Sequence, residues 1–298
     1  MAVSTTDRSA ATPAEISGQG WKQVLVRTWK EASRDNLNLI AAGVAFYAFL
    51  AFVPLLGALV LTYGLVADPA SVVQHFHALT QVMPPDVARI IGEQMQSMVE
   101  TATGQKGFAL LLALLVAIYG AMRGATSIIT ALNIVYGVTE DRSFVRTTIL
   151  AVLLTLGAVV ALFAGIIAIS AMAALGKLLP FSSPLVHGLL KIVFWVAAGA
   201  AVSFVIAAIY RYAPNRPKAK WRWLSPGSIA ATLVWLAATL GFGFYVSNFG
   251  NYNVTYGSLG AVVVFLTWLY LSAYILLIGA ELNAELEKQT SCDTTSSR

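Results

Sequence analysis

From Leu259 to Ala280 this chain carries no charged residue. At 1.5 Å of rise per residue a helix over that run spans the roughly 30 Å of a bilayer's hydrocarbon core. A segment so long and apolar reads as a transmembrane helix rather than a soluble core helix. The run begins at Tyr256 and closes on three carboxylates, Glu281, Glu285 and Glu287. On a helical wheel Thr267, Tyr270, Tyr274, Glu281 and Glu285 fall within about 60° of one another. The helix therefore has one polar stripe on a greasy surface. Facing lipid would be costly for that stripe, so it is expected to face other helices or a cavity.

The remainder of the chain fits the same frame. Hydrophobic residues make up 58% and charged residues 11%, against about 45–50% and 25% in ordinary soluble domains. The fold class this implies is all-α: one polytopic domain over residues 21–287, between a polar N-terminal tail (1–20) and a polar C-terminal tail (288–298). Residues 1–20 are rich in Ser, Thr, Ala and Gly without an apolar core, which predicts disorder and no cleaved signal. The single cysteine, Cys292, lies in the C-terminal tail and leaves no partner for an intramolecular disulfide.

Residues 21–34 predict a basic amphipathic helix. Trp21, Val24, Leu25, Thr28 and Ala32 share one face and Arg27, Lys30, Glu31 and Arg34 the other, a pattern suited to the membrane surface. The first span is expected over 39–66, kinked at Pro54, with Ala41, Gly43, Ala45 and Ala48 as a small-residue packing surface. The long connection 67–106 contains PPDVARIIGEQMQSMVE, which predicts an amphipathic helix over one mouth of the bundle. His75 and His77 diverge on a helix and have no further ligand close in sequence, so no metal site is expected there.

The second span starts near Gly107. Past Arg123 it is either the end of one long helix or a separate helix bent along the surface. Arg123, Thr126, Thr130 and Asn133 cluster within about 80° of the wheel. The third span, 147–176, repeats Gly157, Ala161 and Gly165 as a helix-contact face. The fourth is expected over 185–210. After it comes RYAPNRPKAKWRW, in which Arg211, Arg216, Lys218, Lys220 and Arg222 stand without an acid. That run either sets topology or also contacts anionic lipid headgroups. The fifth span, 226–248, is expected to open at Pro226–Gly227.

Lys and Arg distribute unevenly over the connections. One alternating set holds Arg8, Lys22, Arg27, Lys30 and Arg34, then Arg123, Arg142 and Arg146, then the five of Arg211–Arg222, then Lys288 and Arg298. The other holds Arg89, Lys106, Lys177 and Lys191, giving fifteen against four. The positive-inside rule then predicts six crossings with both termini in the cytoplasm.

Catalytic chemistry finds little footing. There are three histidines, scattered along the chain, no nucleophile-elbow serine and no GxxxxGK[ST] phosphate loop, hence no ATP engine. No cofactor, metal, catalytic residue or nucleic-acid partner is expected. The candidate site is the set of polar groups at membrane depth: Arg123, Thr126, Thr130, Asn133, Thr267, Tyr270, Tyr274, Glu281 and Glu285. Arg123 and Glu281 belong to the same leaflet and are expected to approach each other, directly or through Asn133, either as a structural ion pair or as part of a path.

The stretches AAGVAFYAFLAFVPLL (41–56), RGATSIITALN (123–133), YRYAPNRPKAKWRW (210–223) with the following PGSIAATLVWLAA, and YGSLGAVVVFLTWLYLSAYILLIGAELNAE (256–285) resemble the YihY/BrkB family of bacterial inner-membrane proteins, once labelled ribonuclease BN. The resemblance covers residues 21–287. It implies a six-span inner-membrane protein whose relatives are associated with serum resistance or envelope lipid handling, and so export or flipping of an envelope component. The residues here do not supply what the ribonuclease label would need. Two functions follow as expectations: a transporter or lipid flippase lined by the stripes of spans two and six, or a non-transporting scaffold in which those stripes are helix contacts. A nuclease is a distant third.

Overall fold

The computed structural model describes residues 12–64, 89, 92, 93, 108–178, 184–216, 221–249 and 258–288. Several sequence expectations lie outside these residues: residues 1–11, most of the 84–100 helix, His75 and His77, Lys218 and Lys220, and the tail beyond 288 with Cys292. The described residues hold seven α-helices and no strand: α1 (Gly18–Arg34), α2 (Leu37–Gly64), α3 (Phe108–Val135), α4 (Phe144–Leu178), α5 (Pro184–Tyr212), α6 (Trp221–Phe249) and α7 (Ser258–Glu287). Four stretches are long and apolar enough to cross a membrane, at Phe144–Ala161, Gly188–Tyr212, Ser225–Val246 and Val262–Glu287. The pair α1 and α2, bent by 66° between them, makes a fifth if it counts as one broken span.

Helix α1 starts at Gly18, so the N-terminal polar segment ends earlier than the sequence suggested. The Ser17 hydroxyl caps it by accepting from the Gly20 amide at 3.1 Å. Ile16, just before the cap, and Trp21, four positions into the helix, join one apolar cluster with Val24, Leu282 and Leu286, which fixes how the chain enters the helix. Gly20, Val24, Thr28 and Ala32 are buried, each one turn after the last, and this face lies on α7. Leu25 and Trp29 stay exposed. Asn36, at φ 52°, turns the chain from α1 into α2, a left-handed conformation that asparagine tolerates better than most residues.

Around the bundle, α3 packs on α2, α2 on α7, α7 on α6 and α6 on α5, while α4 flanks α3. The core between them is built from small and aliphatic side chains, among them Ala41, Ala125, Ile129, Leu132, Ala273, Leu277 and Ala280. Helices α4 and α5 are peripheral. Val145, Ile149, Leu153, Leu156 and Val160 on α4, and Leu189, Ile192, Val193 and Val196 on α5, are all exposed. So much contiguous aliphatic surface suits acyl chains and not water. Hydroxyls within the apolar helices turn back on their own backbone, as Thr155 does to the Ala151 carbonyl at 2.8 Å and Thr232 to Ser228 at 2.8 Å. Bonding of this kind satisfies a polar side chain where no water competes.

One open alternative about packing is resolved and two expectations are corrected. Helix α3 is a single helix through Arg123, ending in a C-terminal cap. There Gly137, at φ 64°, lets the Val138 amide reach the Asn133 carbonyl at 2.9 Å and its own amide reach Ile134 at 3.0 Å. Helix α6 begins at Trp221, with Pro226 inside it. Trp221 stacks on Phe204 at 5.5 Å and lies under the Arg211 guanidinium at 5.0 Å, anchoring the added turn. A Cβ on Gly157 or Gly165 of α4 would meet nothing within 4 Å among the described residues. The close glycine approach is instead between Gly227 on α6 and Gly279 on α7. A Cβ on Gly227 would collide with the Gly279 carbonyl and the Asn283 side chain, and the Gly227 amide donates to Asn283 Oδ1 at 2.8 Å.

Candidate functional site

The polar stripe of α7 does not meet one environment. Thr267 is exposed and bonds the Val263 carbonyl at 2.7 Å. Tyr270 and Tyr274 are half-buried against the core and stack with centroids 6.1 Å apart. Glu281 and Glu285 are each 1% exposed. The difference arises because α1 covers the C-terminal end of α7 and leaves its first half open to the bundle flank.

That covered end is a dense ionic clasp. Glu285 accepts from Arg27 of α1 at 2.7 Å and from Lys288 at 2.6 Å. Glu287 is bridged to Arg216 at 2.7 and 2.9 Å, and the Arg216 side chain has no exposed surface. The same guanidinium lies 3.8 Å over the Tyr136 ring and donates to the Tyr210 carbonyl at 3.1 Å. Arg216 is therefore an internal strut and not a headgroup contact as the sequence suggested. It was drawn inside because Glu287, seven residues past the end of the apolar run at Ala280, is buried as well. Of the remaining basic run, Arg211 is half-buried between the Tyr212 and Trp221 rings, and the Arg222 side chain lies outside the described residues. Glu281 makes no ion pair among the described residues, and its Oε2 has no hydrogen-bond partner.

A second knot ties the end of α3 to the loop after α5. Asn133, buried at the C-terminal cap, donates to Glu140 at 2.8 Å and accepts from the Asn215 amide at 2.7 Å. Arg142 donates to Glu140 at 2.7 and 2.6 Å and to the Ala213 carbonyl at 2.8 Å. The hydrogen bonds from Arg142, and secondarily from Asn133, hold the Glu140 carboxyl below the usual carboxylate range. A carboxylate with a lowered folded-state pKa stabilises the fold above its unfolded pKa, and that contribution is lost as pH falls through the folded value. The detergent-solubilised protein is expected to lose melting temperature below about pH 4.5, and Glu140→Gln is expected to lose less over the same interval. Equal acid slopes for the two proteins would sink the assignment.

Arg123 stands elsewhere. The expected approach to Glu281 does not occur, because the guanidinium turns along its own helix to the Tyr119 hydroxyl, donating at 3.0 Å from Nε and 2.8 Å from Nη2. With α3 continuous from Phe108 to Val135, Arg123 sits about 22 Å from one end and about 18 Å from the other at the α-helical rise. It is the middle of the helix, not its end, and without it the two sets of connections hold fourteen Lys and Arg against four. Arg123 opens on a groove of about 390 Å³ between α2 and α3. Thr126, Ser127 and Thr130 line it on the α3 side, Gly43 and Tyr47 on the α2 side, and Ile40, Val44 and Ile134 form apolar walls. Thr126 and Thr130 donate to Met122 and Thr126 carbonyls at 2.8 and 3.0 Å, so their lone pairs and not their protons face outward. Among the described residues no carboxylate pairs with Arg123. No group of three or more His, Cys, Asp or Glu side chains converges to hold a metal among them either. Sequence reasoning found Arg123, Thr126 and Thr130 but missed Gly43 and Tyr47 as their opposite wall, because a groove between helices shows only when both are placed.

Bare aliphatic flanks, back-bonded hydroxyls and charges confined to the helix ends and one groove define a polytopic helical membrane protein. The chain belongs to the BrkB family: the family described as Virulence factor BrkB matches residues 28–297. It is 31% identical over 193 residues to a putative ribonuclease-like protein, YfkH, of Bacillus subtilis, covering 64% of this chain and 70% of the relative. A UPF0761 membrane protein of Alteromonas mediterranea is 27% identical over 86% of this chain and 85% of its own length. Another, from Xanthomonas campestris, is 30% identical over 87% of this chain and 59% of its own length. No solved structure matches the chain.

Proposed function

We propose that this protein is a non-enzymatic transporter or lipid flippase of the bacterial inner membrane, carrying an envelope component without an ATPase of its own. In this reading it crosses the membrane six times with both termini in the cytoplasm. The observation that supports transport is Arg123, a cation halfway along an apolar helix, in a groove where no carboxylate among the described residues neutralises it. A charge at that depth costs several kcal/mol unless water or a ligand solvates it, and a purely structural helix gains nothing from it. The charge distribution supports the orientation, and the exposed Leu25 and Trp29 beside Arg27 and Lys30 suit α1 to the headgroup layer.

The test is transbilayer movement in proteoliposomes holding a fluorescent phospholipid in both leaflets and an impermeant quencher outside. Protein-free vesicles retain the inner-leaflet half of the signal. The wild-type protein is expected to render that half quenchable, and Arg123→Gln to slow it severalfold. Wild-type vesicles that behave like empty ones would overturn the reading. The tied helix ends favour one alternative, a closed scaffold, which predicts that outcome. Orientation is tested separately: Cys292, the sole cysteine, is expected to react with an impermeant maleimide in inside-out vesicles and not in right-side-out ones.

A further inference from the structure

We propose that the groove between α2 and α3 is a binding site for the phosphate of an anionic membrane lipid, with Arg123 as its counter-ion. The inference rests on the transport reading of the same groove and names what enters it. Tyr119 uses Nε and Nη2 of Arg123, leaving Nη1 to donate outward. A guanidinium is the side chain suited to a phosphate, because its planar donors match the phosphate oxygens. The lone pairs of Thr126 and Thr130 beside it would repel a second oxygen-rich group, so the groove takes one anion at one level. Its other walls, Ile40, Val44 and Ile134, are aliphatic and give acyl carbons the surface they need. Either occupant must give up water around its phosphate to reach mid-helix depth, but a soluble anion would gain nothing from those walls. A lipid enters sideways from the bilayer and keeps its chains in hydrocarbon.

The groove also has an opening that substitution can close. Gly43 lines the groove and a Cβ there meets nothing within 4 Å, so a larger side chain at this position is expected to occupy it. The experiment measures lipid binding by native mass spectrometry on the full-length protein in non-ionic detergent, with phosphatidylglycerol, phosphatidylcholine and inorganic phosphate as probes. Wild-type protein is expected to prefer phosphatidylglycerol. Arg123→Gln is expected to weaken that binding about tenfold, the size of one lost charge-assisted contact, and to leave phosphatidylcholine unchanged. Arg123→Lys, which keeps the charge but not the planar fork, is expected to fall between the wild type and Arg123→Gln. Gly43→Phe is expected to weaken both lipids at this groove while its melting temperature stays at the wild-type value.

Equal binding of the two lipids, or a preference that survives Arg123→Gln, would overturn the site. Displacement of the lipid by millimolar inorganic phosphate would overturn the lipid assignment and make the occupant a free anion. A preference lost in Arg123→Gln alongside inactive proteoliposomes would leave this site standing and remove the transport reading. Active proteoliposomes with binding indifferent to Arg123 would do the reverse.

Discussion

Alanine at Gly227 or at Gly279 is expected to keep the protein from accumulating as a monodisperse species in detergent, although each change adds one methyl group. The two glycines are where α6 and α7 come closest. At Gly279 the added carbon would stand 2.6 Å from the Tyr210 hydroxyl, 2.7 Å from the Ala231 Cβ and 2.8 Å from the Gly227 carbonyl. None of these is the free end of a flexible side chain, so the helices must separate. Overpacking alone costs about 1–3 kcal/mol. Separation also breaks the Gly227 amide bond to Asn283 at 2.8 Å and strains the Tyr210 hydroxyl bond to the Leu276 carbonyl at 2.6 Å. Asn283 is fully buried, and stranding a buried polar group adds about 1–3 kcal/mol. Without a hydrophobic drive between helices in lipid, close backbone approach is a large part of what joins such a pair. Gly157→Ala is the control: its Cβ meets nothing, and alanine is the better helix former by about 1 kcal/mol. Size-exclusion profiles of the three variants check the prediction. A monodisperse Gly279→Ala with an unchanged melting temperature would mean that the contact is not needed.

That glycine pair also shows where reading the sequence runs out. Helix positions followed from hydropathy, because an apolar run of bilayer length has few other structures open to it. Which glycines touch did not follow. Gly157, Ala161 and Gly165 form a regular small-residue ladder and lie on a bare flank, while Gly227 and Gly279 have no such repeat and depend on how two distant helices cross. The polar stripes divide in the same way. Arg123, Thr126 and Thr130, neighbours on the wheel, line one groove. The wheel also groups Asn133 with these and Thr267 with Glu281, yet each pair separates along the helix axis into different surroundings. Angular position is periodic and local, so the sequence carries it. What covers a helix at a given height depends on its neighbours. Helix α1, folded back over the end of α7, decides the fate of Glu281 and Glu285, and Arg216 from the loop after α5 decides that of Glu287.

Glu287→Ala is expected to cost about 3–5 kcal/mol, the usual penalty for leaving a buried charge without its partner. The stranded group would be Arg216, whose side chain is fully enclosed and whose Nη1 contacts both Glu287 oxygens. The Tyr136 ring at 3.8 Å offers partial compensation, since a cation over an aromatic face gains about 2 kcal/mol when desolvated, but a ring does not replace a carboxylate. Glu287→Gln should fall between, because an amide oxygen still accepts one hydrogen bond while the charge is gone. The pair itself need not be strongly stabilising. Removing two charges together avoids the desolvation that each single change exposes, so Arg216→Met combined with Glu287→Leu should recover much of the melting temperature lost in Glu287→Ala. Arg27→Gln is a contrasting case. Its guanidinium is 30% exposed and Glu285 keeps Lys288 at 2.6 Å, so its loss should cost less than about 1 kcal/mol. Apparent melting temperatures of these variants in one detergent order the effects. If Glu287→Ala melts no lower than Arg27→Gln, then water reaches Arg216 and this end of the bundle is open and not closed.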